Sequence, residues 1–114
     1  MTYQNSDNLR QKRCKACEGG TEPMSEEQAQ KLLPSISGWN INGKRIEKSF
    51  KFNNYYKTIA FVNAVAWIAN REDHHPDLEV GYGKCMVYFS THSIGGLSEN
   101  DFICAAKVNA LFED

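Results

Sequence analysis

A helical segment that stops at a proline divides the chain into two strand-rich parts. Apolar residues recur at helical spacing through residues 53–73, and Asn53 or Asn54 can cap the start of this segment. The segment must end near His74, because the residue before Pro76 avoids helical backbone. We therefore predict one long helix here. Its predicted buried stripe consists of Tyr55, Ile59, Val62, Ala66 and Ala69.

A pair of strands is predicted on each side of this helix. Residues 39–52 alternate in polarity, and Asn42-Gly43 is a strong signal for a hairpin turn. Residues 77–92 indicate two short strands with a break at Gly81 to Gly83. Helices interrupt these strand pairs, which disfavours parallel βαβ winding.

Two shorter helices flank the strands and complete the predicted topology. Ser25 with Gln28, and Ser98 with Asp101, have the spacing of helix-capping pairs. The predicted order is therefore α-β-β-α-β-β-α. We predict an α+β fold in which a four-stranded antiparallel sheet carries its helices packed on one face.

The length of 114 residues fits a single domain, predicted at residues 23–114. Residues 1–22 are polar and predict a flexible N-terminal extension. Cys14 and Cys17 form a C-x-x-C pair there, which is half of a tetrahedral zinc site. Cys85 and Cys104 occur singly, so the pair is read either as a dispensable feature or as a metal or redox site.

Charge and hydropathy argue against several classes of partner. The net charge of −1 and the isoelectric point near 6.3 give no general reason to bind nucleic acid or an anionic membrane. No apolar run approaches the roughly 18 residues that a membrane span needs. The polar N-terminus does not resemble a secretory signal, so we predict a cytoplasmic location.

All three histidines of the chain fall between positions 74 and 92. Histidine can donate and accept protons near neutral pH, so His74, His75 and His92 together suit a reaction that needs an acid and a base. Pro76 lets the two adjacent rings point in different directions. Chance clustering is the alternative. A three-histidine metal site is a further alternative, although the H-x-H and H-x-x-x-H spacings are absent.

These residues resemble the pterin-4a-carbinolamine dehydratase family, also called 4a-hydroxytetrahydrobiopterin dehydratases. The resemblance rests on the HHP motif at 74–76, followed by Tyr82, His92 and Asp101, and extends from about Met24 to the C-terminus. The resemblance also includes the segments GW, FKFNNY, HHPDL, STHS and GLSENDF. The CKACEGG extension is similar to that of bacterial members associated with phenylalanine hydroxylase.

The resemblance implies dehydration of a 4a-hydroxytetrahydropterin to the quinonoid dihydropterin, in tetrahydrobiopterin recycling. It implies that His74 and His92 are the acid–base candidates and that His75 binds substrate and stabilises charge. It implies no metal and no other cofactor. The implied substrate-binding residues are Asp73, His74, His75, Pro76, Ser90, Thr91, His92 and Ser93.

Two residues are predicted to orient the site. The family usually has an ionisable residue four positions before the first histidine, where this chain has Asn70, one helical turn from His74. Asp101 is predicted either to orient a ring or to cap the last helix. An aromatic residue usually follows HHP closely, where Leu78 and Glu79 stand here.

The resemblance also implies partners. The family forms homodimers and homotetramers, and phenylalanine hydroxylase is the implied functional partner. Animal relatives act as dimerisation cofactors of a transcription factor, so a non-catalytic binding module is the alternative function. Clustered histidines favour the enzyme, because a binding module would not need them.

Overall fold

The computed structural model describes residues 5–16 and 21–113, with side chains from Asn8 onward. Its helices and strands are α1 (Asn5–Gln11), α2 (Glu26–Leu32), β1 (Asn40–Asn42), β2 (Arg45–Lys51), α3 (Tyr55–Glu72), β3 (Asp77–Val80), β4 (Lys84–Phe89) and α4 (Glu99–Asn109). From α2 onward this is the predicted order. No helix in the described part of the chain is both long and apolar enough to cross a bilayer.

The four strands form one antiparallel sheet in the order β1-β2-β4-β3. Asn42 pairs with Arg45, so the first hairpin closes over Gly43 and Lys44. Gly43 has a φ of 65°, a left-handed conformation that glycine adopts without strain. The predicted hairpin is confirmed with its turn one residue later, at Gly43 and Lys44, and the predicted break at Gly81 to Gly83 is confirmed.

The hydrophobic core lies between one face of the sheet and the helices α3 and α4. Alternate residues of β2 and β4 point into it, because successive side chains of a strand face opposite ways. These buried residues are Ile46, Phe50, Cys85, Val87 and Phe89. Trp39 packs against Phe89, with ring centroids 5.9 Å apart. The predicted α+β class is confirmed.

Of the predicted buried stripe of α3, Ala69 is buried and the other four residues are not. Tyr55 is 53% exposed, Ala66 is exposed, and Ile59 and Val62 are only partly buried. The residues that are buried are Thr58, Phe61, Val65, Ala69 and Glu72. The helix turns its polar Thr58 and Glu72 inward because both are paired there, which apolar periodicity alone does not reveal.

Part of the N-terminal segment is helical in the described residues. Residues 5–11 form α1, which packs on α4, and Leu9 is only 2% exposed. One buried leucine leaves no periodic pattern in a polar sequence, and the prediction of a flexible extension over residues 1–22 as a whole stays a prediction. Cys17 lies outside the described residues, and the domain boundary near residue 22 stays a prediction.

Candidate active site

The end of β4 is the point where the predicted site segments meet. Ile46 pairs with Phe89, which brings the β1–β2 turn to one side of this strand end. Asp77 pairs with Tyr88, which brings the start of β3 to the other side. The chain leaves β4 through Ser90 and Thr91 into a short 3₁₀ turn at His92–Ile94. The Ser-Thr-His segment therefore lies between the hairpin turn and the start of β3.

His74 forms a buried pair with Asp101. The Nε2 atom of His74 lies 2.6 Å from Oδ1 of Asp101, and their side chains are 11% and 0% exposed. Helix α3 ends just before His74 because Asp73 adopts a left-handed conformation, with φ at 51°. The ring of His74 stacks on Phe89 at a centroid distance of 6.0 Å and an interplanar angle of 9°. Backbone, carboxylate and aromatic ring together fix its orientation.

The second oxygen of Asp101 holds the start of α4. Its Oδ2 accepts hydrogen bonds from the backbone N–H of Ser98 and from the hydroxyl of Thr91, both at 2.9 Å. Thr91 Oγ1 also lies 2.7 Å from Ser98 Oγ, so Ser98 is the donor there because the proton of Thr91 is already committed. Asp101 thus contacts the ring and caps the helix at once, and both roles predicted for it as alternatives are present in the geometry.

A cleft of about 280 Å³ opens beside this network. His92 is exposed at its wall, and Thr91 belongs both to the cleft and to the hydrogen bonds of Asp101. The lining residues are Asn42, Lys44, Arg45, Asp77, Ser90, Thr91, His92, Gly95 and Gly96. Its volume is close to the lower end of small-molecule pockets, about 300 Å³.

Six of these residues were not predicted as site residues from the sequence: Asn42, Lys44, Arg45, Asp77, Gly95 and Gly96. Three of them come from the first hairpin, which is remote from the histidines in sequence. Only the pairing of β2 with β4 brings that hairpin to the site. Asp77 had one local signal, since it directly follows the HHP motif.

The other predicted site residues lie outside this cleft. His75, Asp73 and Ser93 are exposed, Pro76 is half-buried, and none of them lines it. Asn70 is exposed, and its carbonyl oxygen accepts from the N–H of Asp73. His74 also lies outside the lining and is connected to the cleft through Asp101 and Thr91. Of the three histidines only His92 lines this cleft, so a single pocket shared by all three rings stays a prediction.

The described residues give no support to the three-histidine metal alternative. Among residues 5–16 and 21–113, no three His, Cys, Asp or Glu side chains are grouped so that they could hold a metal ion.

A larger cavity of about 870 Å³ lies elsewhere, between α1, α3 and α4. Trp67 and Ile68 form part of its wall, and Arg13, Arg71 and Lys107 also line it. None of the histidines lines this cavity, so size alone does not identify the site. The candidate site is assigned to the smaller cleft because acid–base groups lie at and next to it.

The described geometry defines a small α+β protein with a buried carboxylate–histidine pair next to a ligand-sized cleft. The chain belongs to the pterin 4 alpha carbinolamine dehydratase family, whose model matches residues 22–111. The resemblance predicted from the HHP motif is thereby confirmed.

Individual relatives extend the similarity over nearly the whole chain. A relative in Nitrosospira multiformis, named for this family, is 61% identical over 107 residues, covering 94% of this chain and 95% of its own. One in Nitrosomonas europaea is 57% identical over 106 residues, covering 92% of this chain and 94% of its own. A Brucella melitensis crystal structure is described as a transcriptional coactivator/pterin dehydratase. It has a TM-score of 0.76 at 30% identity, and the match covers 79% of this chain and 98% of that one.

One solved structure shares the fold alone. It is described as a pterin dehydratase-like protein that acts as a RuBisCO assembly factor in the alpha-carboxysome. Its TM-score is 0.55 at 23% identity, and the match covers 67% of this chain and 88% of that one. The same fold therefore also occurs in a protein described as an assembly factor.

Proposed function

We propose that this protein dehydrates 4a-hydroxytetrahydrobiopterin to quinonoid dihydropterin by histidine acid–base catalysis, as a step of tetrahydrobiopterin recycling. The observation that carries the proposal is the 2.6 Å contact between His74 and Asp101, linked through Thr91 to the cleft that His92 lines. Family membership supplies the substrate class.

The reaction needs two proton transfers. The hydroxyl on carbon 4a must leave as water, so its oxygen must gain a proton. The lone pair of ring nitrogen N5 expels it by forming a double bond to carbon 4a, and N5 must then lose its proton. One group that donates and one that accepts therefore complete the chemistry.

The hydrogen bonds of His74 indicate which histidine accepts a proton and which donates one. Because the carboxylate of Asp101 can only accept, Nε2 of His74 carries a hydrogen, and a neutral ring keeps Nδ1 as its lone-pair acceptor. His74 is therefore assigned as the base that takes the proton of N5 from a substrate that extends beyond the cleft lining to reach its Nδ1, with Asp101 holding its tautomer as in other carboxylate–histidine pairs. His92, exposed at the cleft wall, is assigned as the acid that protonates the departing hydroxyl.

Substrate binding is assigned to the residues around these two histidines. Ser90 supplies a hydroxyl at the cleft wall, and Thr91 lines the cleft while its own hydroxyl donates to Asp101. Asp77 adds a carboxylate whose two oxygens match the two donors on the aminopyrimidine edge of a pterin, N3–H and the 2-amino group. His75, with Asp73, Pro76 and Ser93, is assigned to the rim because the family resemblance implies that these residues bind substrate.

The assay uses 4a-carbinolamine generated chemically or by an aromatic amino-acid hydroxylase, with loss of carbinolamine followed by absorbance. Turnover well above the spontaneous rate, unchanged by a chelator, supports the proposal. Loss of turnover on chelation would point to a metal site. Turnover equal to the spontaneous rate would overturn the enzymatic proposal.

A second candidate is a binding module, favoured by the Brucella melitensis relative described as a coactivator. In either proposal the protein acts as a homodimer or homotetramer, and phenylalanine hydroxylase is the functional partner of the proposed enzyme. Strands β1 and β3 are the sheet edges in the described part of the chain, and an edge strand can pair with a second copy. An inactive protein that forms a stable oligomer and captures a partner protein would favour this candidate.

A further inference from the structure

The segment that precedes the family domain is fastened to α3 and α4 by specific polar contacts. The backbone N–H of Cys14 donates to the carboxylate of Glu72 at 2.8 Å. The backbone of Lys15 both donates to and accepts from the side-chain amide of Asn100, at 3.0 and 2.6 Å. Leu9 is buried against α4. Cys14 is therefore held at a defined position rather than carried on a loose tail.

These contacts bring Cys14 against a second cysteine. The Sγ atoms of Cys14 and Cys104 lie 3.6 Å apart, although the two residues are 90 positions apart in sequence. Cys14 is partly buried, and its Sγ also lies 3.7 Å from the carbonyl oxygen of Asn100. Cys104 is fully buried on α4. Both are free thiols.

We propose that Cys14 and Cys104 form a reversible intramolecular disulfide when the protein meets a small-molecule disulfide such as oxidised glutathione. The thiolate of Cys14 attacks one sulfur of that disulfide and releases one small thiol. The thiolate of Cys104 then attacks the Cys14 sulfur and releases the second small thiol. The protein gives up two electrons and two protons, and one small disulfide becomes two thiols.

The order of the two attacks follows from exposure. Cys14 is the entry point, because Cys104 is fully buried and cannot meet the oxidant. In the reduced protein the hydrogen bond with Cys14, followed by burial, raises the pKa of the Cys104 thiol, so Cys104 does not make the first attack. The sulfurs already touch, so closing the bond requires only a small movement.

The bond would join the N-terminal segment covalently to α4, the helix that carries Asp101. It closes a loop that spans most of the chain, and such a cross-link stabilises mainly by constraining the unfolded state. We expect the oxidised protein to melt roughly 5–15 °C higher than the reduced protein.

The test uses the full chain incubated with oxidised glutathione, alkylated and cleaved without reduction. Trypsin cuts after Lys15 and so separates Cys14 from Cys17, and a glutamate-specific protease cuts after Glu99 and so separates Cys85 from Cys104. Mass spectrometry should find the Cys14 peptide linked to the Cys104 peptide, with the mass of two hydrogens lost. The Tm should rise and return after reduction.

Matched variants make the result decisive. Cys85→Ala, which removes the other buried thiol, should keep the link and the rise in Tm. Cys14→Ser and Cys104→Ala should each abolish both the cross-link and the rise in Tm. Cys14→Ser is the milder variant, because it removes the cross-link without changing the core. A bond from Cys14 to Cys17, bonds between chains, or two alkylated thiols after oxidation would overturn the proposal.

Discussion

Nε2 of His74 lies 2.6 Å from Oδ1 of Asp101, and the second oxygen of the same carboxylate caps the helix on which Asp101 sits. One buried side chain therefore connects the end of α3 with the start of α4. The ring at one helix terminus and the cap at another cannot move independently. Removing this carboxylate should therefore lower both kcat and the free energy of unfolding, and the two losses can be measured separately.

Asp101→Asn tests that coupling. The amide keeps the size of the side chain but loses the charge, and it can present a donor to a ring nitrogen that needs an acceptor. We expect kcat to fall about 100-fold, the scale of a disturbed acid–base pair, and the unfolding free energy to fall by about 1–3 kcal/mol. Steady-state kinetics and urea unfolding measure the two effects.

Ser25→Ala is the matched control for the stability part. Ser25 caps α2 in the same kind of capping box, with Gln28 as its partner, and it does not line the cleft. Its loss should cost about 1 kcal/mol and leave kcat unchanged. If Asp101→Asn behaves like Ser25→Ala, with lower stability and full activity, then Asp101 is only a helix cap.

His92→Ala addresses the assigned acid. Because His92 is exposed, its removal leaves no buried gap, and the melting temperature should stay within experimental error of the wild type. We expect kcat to fall about 100-fold or more, since a positioned acid is lost. Unchanged kcat would remove His92 from the mechanism.

His75→Ala distinguishes binding from proton transfer. His75 is exposed and lies outside the cleft lining, and it is assigned to the rim. Its loss should raise KM by about 10-fold while kcat changes less, which is the signature of weakened ground-state binding. A fall in kcat equal to that of His92→Ala would place His75 among the proton-transferring groups instead.

The sequence was sufficient for the fold where local signals agree with tertiary packing. The caps at Ser25 and Ser98, the turn at Asn42-Gly43 and the alternation of β4 each use residues that are neighbours in the chain. The phase of α3 was missed because Thr58 and Glu72 are buried by virtue of distant partners, the carbonyl of Tyr82 and the side chain of Arg13.

In the candidate site too, local sequence signals were predicted and contacts between distant residues were not. The HHP motif, Thr91, His92 and Asp101 lie close enough in sequence to be recognised as one constellation. Lys44 and Arg45 reach the cleft only because β2 pairs with β4, and no local pattern encodes that register. The docking of residues 5–16 depends on single contacts such as Leu9, which leave no periodic signal.

Asp77→Asn tests the assigned recognition of the pterin edge. The amide replaces one acceptor by a donor, so it can no longer accept from two neighbouring donors at once. We expect KM to rise about 10-fold with little change in kcat, because the lost contact is made equally in the ground and transition states. Glu79→Gln on the same strand, which lies outside the cleft, is the control and should leave KM unchanged. An unchanged KM for Asp77→Asn would exclude this carboxylate from substrate binding.

Glu72→Gln tests how the N-terminal segment is held. The side chain of Glu72 is 2% exposed and lies 3.2 Å from Nε of Arg13 and 3.7 Å from Nζ of Lys107. Burial alone would raise its pKa, but the N–H of Cys14 and the two cations outweigh burial, so the pKa of Glu72 lies below its ordinary value. We expect the variant to lose about 1–3 kcal/mol of unfolding free energy at pH 7.

The pH dependence of that loss has a definite sign. A carboxyl whose pKa is lowered on folding stabilises the native state at pH values above its unfolded pKa, near 4.3, and loses this contribution as pH falls through the folded pKa. The difference between wild type and Glu72→Gln should therefore be constant from about pH 6 to 8 and shrink at lower pH. Glu99→Gln breaks the exposed pair with Lys12, which also joins the N-terminal segment to α4, and should cost at most about 1 kcal/mol. Chemical denaturation of the three proteins across this pH range measures the effect, and a difference that grows on acidification would contradict the assigned charge of Glu72.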